Sequence, residues 1–505
     1  MKSTRVFSLL LLALFLAACG VPGSPMPVGI PDTAPVATRV TAHPFDVAWD
    51  DREIFRAGLV EAEQPVLDQL PGATVYHIDV QIANDFRRLQ GSEQALYTNQ
   101  EDTALDEIYF RLFPNILGGE TTVSALTVDG QSMEPSYEFM DTAMRVPLSP
   151  ALQPGDRVEI RMDFQVKLPL RPSNNFGMLG YLDDILVLDG FYPAIPVYDD
   201  EGWNVELPHL NADLAYYDAS FYLVRVAAPS HLTVVASGVE VGREYGLDDQ
   251  VLTFAAGPAR DFYVAASARY VAASKTVGET TINHYAVIGL EDERAGAALQ
   301  YAQDALKSFG ERFGAYPYTE FDIISTPTMA LGMEYPGLAV ITIGLYEPDS
   351  SILMLESTVV HEVGHQWFYN LVGSDQVDEP WVDEAVTQYV TGLYYRDNFG
   401  SRAEQDWHDG LYARWNRVTR GDVPIGLPAA SYASGDYGPV VYGRGPLFIV
   451  ALEELMWRDT FDEFLRDYAE SNRWGIGAGD EFKQLAESHC QCDLTALFEE
   501  WVYGK

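Results

Sequence analysis

The sequence predicts an α+β multidomain protein, with an antiparallel β-sandwich or saddle domain first and a mostly helical domain after it. Three observations predict this. At 505 residues the chain is longer than one hydrophobic core usually organises. Short alternating apolar runs fill the stretch from Thr74 to Tyr270, separated by turns rich in Gly, Pro, Asn and Asp. Beyond about residue 272 the alternation gives way to apolar positions at helical spacing. Hydrophobic residues make up 47% and charged residues 21%, the proportions of an ordinary globular chain.

Taken in order, the chain opens on an export signal over residues 1–19. Lys2 and Arg5 make a basic start, Val6 to Phe15 a short apolar run, and Ala17 and Ala18 supply small residues. The run is too short to span a bilayer comfortably. Leu16-Ala17-Ala18-Cys19 resembles a bacterial lipobox, which would place a lipid on Cys19 and anchor the protein to the membrane outside the cytoplasm. An ordinary cleaved signal with a chance cysteine is the alternative. Residues 20–44, dense in Pro and Gly, read as the spacer between such an anchor and a folded domain.

The β domain is expected over 45–271. Val75 to Ile82, Arg157 to Phe164 and Ser220 to Val226 alternate most cleanly, and many short strands at regular spacing imply a sandwich or saddle. The second domain, 272–505, begins with a strand at Thr281 to Ile288. A helix follows from Asp292 to Phe313, with Ala298, Tyr301, Ala305, Leu306 and Phe309 on one face. Phe321 to Ser325 and Leu338 to Ile343 suggest a small sheet, and helices dominate from Ser350 to a last one at Asp493 to Val502.

A net charge of −42 excludes nucleic acid as a partner, because phosphate backbones require clustered Lys and Arg. It suits solubility outside the cell, or a field that draws in cationic peptides. Of three cysteines, Cys490 and Cys492 remain beyond Cys19, too few for a disulfide framework. Together with His489 they lie in one short segment, which rarely closes a metal tetrahedron.

His361-Glu362-Val363-Gly364-His365 lies within an apolar-periodic run, Ile352 to Leu371, that reads as a buried helix. Residues four apart share a helix face, so both imidazoles can reach one ion with Glu362 beside it. A catalytic zinc needs a third protein ligand and an open position. Gly373 to Glu379 form a turn, Pro380 suits the first position of a second helix, and Glu384 lies one turn into it. Asp383 and Asp378 are candidates for orienting the histidines.

These residues carry a specific resemblance. His361 to Phe368, with eighteen residues between His365 and the Glu384 of Trp381-Val-Asp-Glu-Ala385, resembles the aminopeptidase N and leukotriene hydrolase family of gluzincins. The resemblance implies one Zn2+ per chain on His361, His365 and Glu384, Glu362 as general base, and a thermolysin-like second domain. Gly332-Met333-Glu334 resembles the family's Gly-x-Met-Glu-Asn segment, which implies that Glu334 holds a substrate's free α-amino group. Val441 to Gly445 resembles Tyr-x-Lys-Gly, which implies that Tyr442 stabilises the oxyanion. Tyr335 stands where the family has Asn and Arg444 where it has Lys. The resemblance further implies a member without the helical C-terminal domain of larger relatives. The expected activity is release of N-terminal residues from peptides with a free N-terminus. A zinc endopeptidase of broader specificity and a silent lipid-anchored peptide-binding protein are the rivals.

Overall fold

The computed structural model describes residues 42–505 except 172–175, 210–215, 291, 419–420, 434 and 505. The expected signal, Cys19 and nearly all of the expected spacer lie outside the described residues. No described helix is long and apolar enough to cross a membrane.

An eight-stranded sheet organises the first half. Its centre is Val75–Ile82, paired antiparallel with Arg88–Thr98 and parallel with Ser220–Pro229. Arg157–Lys167 lies against Arg88–Thr98, and Asp249–Ala259 against Ser220–Pro229. Period-2 patterning puts one face in the core. Along Arg157–Lys167, Val158, Ile160, Met162, Phe164 and Val166 are buried while Arg157, Arg161, Asp163, Gln165 and Lys167 are exposed. Each inward side chain contributes about 1.5–3 kcal/mol of burial, which fixes the register against a one-residue slip. A four-stranded sheet stacks beside it in the order Thr233–Ala236, Val264–Ser267, Ile185–Leu188, Leu179–Leu182.

A five-stranded sheet carries the chain into the helical half. Its strands are β1 (Tyr270–Val277), β2 (Thr280–Val287), β3 (Glu320–Thr326), β4 (Gly332–Tyr335) and β5 (Leu338–Thr342), in the order β1-β2-β3-β5-β4. Strand β4 pairs antiparallel with β5 alone and so forms the sheet's edge. Helix α1 (Asp292–Phe313) spans the residues expected from its apolar face, and packs Ala298, Ala302, Ala305 and Phe309 into the core with Val359, Val360 and Val363. Those last three belong to α2 (Ile352–Gly364), which Ser351 caps by accepting a hydrogen bond from the Met354 amide at 3.3 Å. Then come α3 (Pro380–Phe399), α4 (Ser401–Trp415), α5 (Gly445–Met456), α6 (Arg458–Ser471) and α7 (Gly479–Cys490). The same apolar cluster takes in Phe55, Val75 and Phe221 from the β half, so one core runs through both halves.

Two segments differ from the sequence expectation. The run Ile352 to Leu371 is not one helix: α2 stops at Gly364 and tight turns follow. The guanidinium of Arg260, fully buried, donates to the carbonyls of Tyr369 (2.6 Å), Asn370 (3.1 Å) and Leu371 (3.3 Å). It satisfies carbonyls that a continuing helix would have paired with its own amides, so the chain can turn without orphaned acceptors. At the C-terminus, Thr495–Phe498 is α-helical and Glu499–Tyr503 a single wide turn. Cys490 and Cys492 form a disulfide, and His489 Nε2 lies 3.1 Å from Asp467 Oδ2.

Candidate metal centre and cleft

Helix α2 supplies His361 and Glu362, and His365 caps its end; α3 supplies Glu384. Their approach depends on Gly364, where an added Cβ would stand 3.0 Å from Thr387 Cγ2 and 3.3 Å from Val390 Cγ2 of α3. His361 Nε2 lies 3.1 Å from His365 Nε2 and 3.1 Å from Glu384 Oε2, and His365 Nε2 lies 3.5 Å from the same oxygen. A tetrahedral zinc with bonds of about 2.0–2.1 Å has ligand edges of about 3.3 Å. Three donor atoms therefore converge at the spacing one ion imposes.

The electrostatics agree. His365 and Glu384 are buried, at 0% and 5% exposure. Burial alone would lower the His365 pKa, yet the carboxylates of Glu334, Asp383 and Glu384 hold it well above its ordinary value. Burial alone would raise Glu384, yet His361 and His365 hold it far below the usual carboxylate range. The pocket is built to receive positive charge. His365 Nδ1 lies 2.7 Å from Asp383 Oδ1 and 3.0 Å from the Phe368 carbonyl, which keeps the proton on Nδ1 and leaves Nε2 as the donor to metal. Asp383 is held in turn by the Gln376 side-chain amide. Asp378, the other candidate, takes part instead in the turn before α3, its amide bonded to Asp375 at 2.9 Å.

Glu362 is 4% exposed, and its carboxylate packs directly against Gly332 of β4, where a Cβ would overlap it. Glu334, two residues along that edge strand, is 6% exposed and reaches within 3.9 Å of His365 Nδ1. Met333 lines the same cavity, which measures about 690 Å³. On the opposite side the Tyr442 hydroxyl donates to Glu384 Oε1. Tyr442 sits in a π-helical turn, Val440–Arg444, just before α5, a distortion that re-aims one side chain without ending the helix. The Arg414 guanidinium lies 5.4 Å from its ring centroid.

The two departures from the family pattern have structural roles. Tyr335 stacks on Tyr263 with centroids 4.2 Å apart. Arg444 lies between the rings of Trp415 and Trp501, bonded to the carbonyls of Val423 and Glu500. Sequence reasoning missed Gln366. Its side chain donates to the Tyr335 carbonyl and accepts from the Gly337 amide, both at 3.0 Å, tying the β4–β5 turn to the end of α2. It missed Arg260 too, whose strand context gives no local signal.

Comparison with known proteins agrees with this geometry. Residues 297–501 match the family described as Peptidase family M1 domain. Aminopeptidase N of Lactobacillus helveticus is 24% identical over 240 residues, covering 44% of this chain and 28% of that protein. Mouse aminopeptidase B is 27% identical over 188 residues, covering 35% and 28%. The chain thus spans about a third or less of the length of the curated relatives it matches. A solved M1 zinc metallopeptidase from Deinococcus radiodurans shares the fold, with a TM-score of 0.65 and 18% identity over 86% of this chain and 94% of that one. A mutant of that protein has been solved bound to a Tyr-Ser-Ala substrate. Residues 297–501 thus match the peptidase family M1 domain, whose zinc this donor set fits, and the fold is shared with the M1 zinc metallopeptidase of Deinococcus radiodurans.

Proposed function

We propose that the protein is a zinc aminopeptidase that removes the first residue from peptides with a free N-terminus. The observation that carries this reading is Glu334, a buried carboxylate on the edge strand beside the histidine pair, where a peptide's α-ammonium would pair with it. Such an anchor sets the first peptide bond over the ligand cluster and leaves no register for a blocked terminus. The unpaired side of β4 is a template for the peptide backbone.

His361, His365 and Glu384 would hold the zinc, which would supply Lewis-acid polarisation of a carbonyl and acidify a water. Glu362 takes the proton of the attacking water and passes it to the departing amine. Its carboxylate, boxed in by Gly332, is held ready for both transfers. The Tyr442 hydroxyl turns from Glu384 to the oxyanion as negative charge develops there. The substrate class follows the relatives' aminopeptidase names and the peptide bound in the Deinococcus protein.

The location is part of the same proposal: an extracytoplasmic protein anchored through a lipid on Cys19. The sequence before residue 20 supports it, as does the Cys490–Cys492 disulfide, a bond that persists in oxidising compartments.

The deciding test compares aminoacyl amides carrying a fluorogenic leaving group with their N-acetylated counterparts, before and after chelation. Cleavage of the free-amine set alone, lost with chelator and restored by zinc, is expected. Equal cleavage of both sets would replace this reading with a broader endopeptidase. No cleavage of either set by zinc-loaded protein would point to a binding role.

A further inference from the structure

The wall of the cleft beyond Glu334 carries acids that peptide hydrolysis does not use. Asp189 follows strand Ile185–Leu188, and Asp261 precedes strand Val264–Ser267. The two strands pair antiparallel with Leu188 opposite Val264, so both aspartates leave the same end of one sheet. Both line the cavity that holds the ligand cluster, as do Glu334, Tyr335 and Tyr369. Asp261 is 7% exposed. Its Oδ2 accepts from the Tyr369 hydroxyl at 2.7 Å, while its Oδ1 is buried without a hydrogen-bond partner.

Among the described residues no lysine or arginine is ion-paired with either aspartate, although the charge of Arg260 offsets the burial of Asp261 in part. Arg260, next in sequence to Asp261, is turned away and spends its donors on backbone carbonyls. The arginines lining the cavity, Arg414 and Arg417, belong to α4 and the turn after it, Arg414 over the Tyr442 ring. Burial pushes the Asp261 carboxyl up to about 8, with the neighbouring Asp189 adding to the effect. Burial pushes Asp189 to about 7, offset only in part by Tyr335 and the Gly190 amide. Such groups gain most from a cation brought to them.

An α-ammonium is a single cation, whereas Glu334, Asp189 and Asp261 place three carboxyl groups on the one cavity. The same cavity also carries apolar lining from Leu117, Met178 and Met333. A long aliphatic stem ending in a cation suits a cavity that offers both kinds of lining, apolar surface for the stem and the acids for the head.

We propose that Asp261 and Asp189 form the recognition end of the pocket for the substrate's first side chain, and that this side chain is basic, lysine or arginine. The proposal deepens the aminopeptidase reading and rests on it for turnover, though not for binding. Neither aspartate touches the reacting atoms; both determine specificity.

The test pairs lysine with norleucine, which has a similar stem and no charge. On fluorogenic amides the intact protein should favour lysine by about tenfold or more in kcat/KM. Asp261→Asn, and more so Asp261→Asn with Asp189→Asn, should bring the ratio near one while leaving norleucine amide turned over within about threefold. The Asn variants keep the side-chain shape, so an unchanged norleucine rate also shows that the fold survives. A lysine preference that persists in the double variant, or no preference in the intact protein, overturns the proposal. Calorimetric binding of lysine amide and norleucine amide to zinc-loaded Glu362→Gln protein separates the two readings. Tighter lysine binding that the Asn changes abolish would uphold the pocket even where turnover is absent and the peptidase reading has failed. Equal binding of the two amides would overturn the pocket even where peptides are cleaved.

Discussion

Three positions of the site, two side chains and one glycine, each yield a distinct expectation. Glu362→Gln keeps the shape and loses the proton acceptor, so zinc content should be unchanged while kcat falls about 10²-fold or more; retention of full turnover would remove it as the base. Tyr442→Phe removes a hydroxyl that now bonds Glu384 and lowers kcat by about 10²-fold. A change confined to KM would contradict the oxyanion role. Gly332→Ala is the less obvious variant. The methyl has nowhere to go except into the Glu362 carboxylate, so it should lower kcat about as far as losing the base, with zinc retained in elemental analysis. Much of this was legible in advance. Helical spacing placed both histidines on one face, and Pro380 placed Glu384 one turn into its helix. The contact that makes Gly332 a glycine was not legible, because it joins an edge strand to a helix about thirty residues away and leaves no local pattern.

At the scale of elements, alternation located Val75–Ile82 at its observed limits, and the apolar face located α1 likewise. The end of α2 was misread for a physical reason. Apolar residues continue to Leu371 because the turns there are buried, and burial looks the same in sequence whether the backbone is helical or not. What decides it is Arg260, donating to carbonyls more than a hundred residues further along the chain. Arg260→Met should therefore cost about 3 kcal/mol or more, since several buried carbonyls lose their donor at once. Urea unfolding of the zinc-free protein measures this directly. A loss under about 1 kcal/mol would mean that water replaces the guanidinium. Gln366 is a smaller tie of the same kind, fastening the strand that bears Glu334 to the helix that bears the histidines.

For the whole molecule the dominant fact is charge. Several carboxyls are buried where the charged form is costly: burial lifts Asp261 to about 8, and Asp375 and Glu453 each to about 7. An unfolded chain releases these protons near pH 4, whereas the folded protein keeps them, so the unfolded state binds fewer protons across this window. Buried His77 and His284, both pushed by burial down to about 4, act in the opposite sense up to about pH 6.5, so stability should fall as pH rises from about 6.5 to about 8 and level off above. Carboxylates held low, such as Asp397 beside Arg312, act in the opposite sense, but only below about pH 4. General repulsion at a net charge of −42 adds to the loss. The melting temperature of the zinc-free protein, followed from pH 6.5 to 8.5 in chelator, is expected to decline to about pH 8 and then level off. A flat or rising curve would mean that these acids are ionised in the folded state.

The reach of Arg260 also bears on how the protein comes into being. The recognisable peptidase segment begins at residue 297, yet the guanidinium that seats the turn after the histidines comes from residue 260, and the sheet bearing Glu334 starts at Tyr270. A chain made from its N-terminus finishes the β half first, and the helices then close onto a guanidinium already in place. Cleavage between the halves would therefore part the turn after the histidines from the guanidinium that seats it, and the ligand cluster should lose its order before either half unfolds.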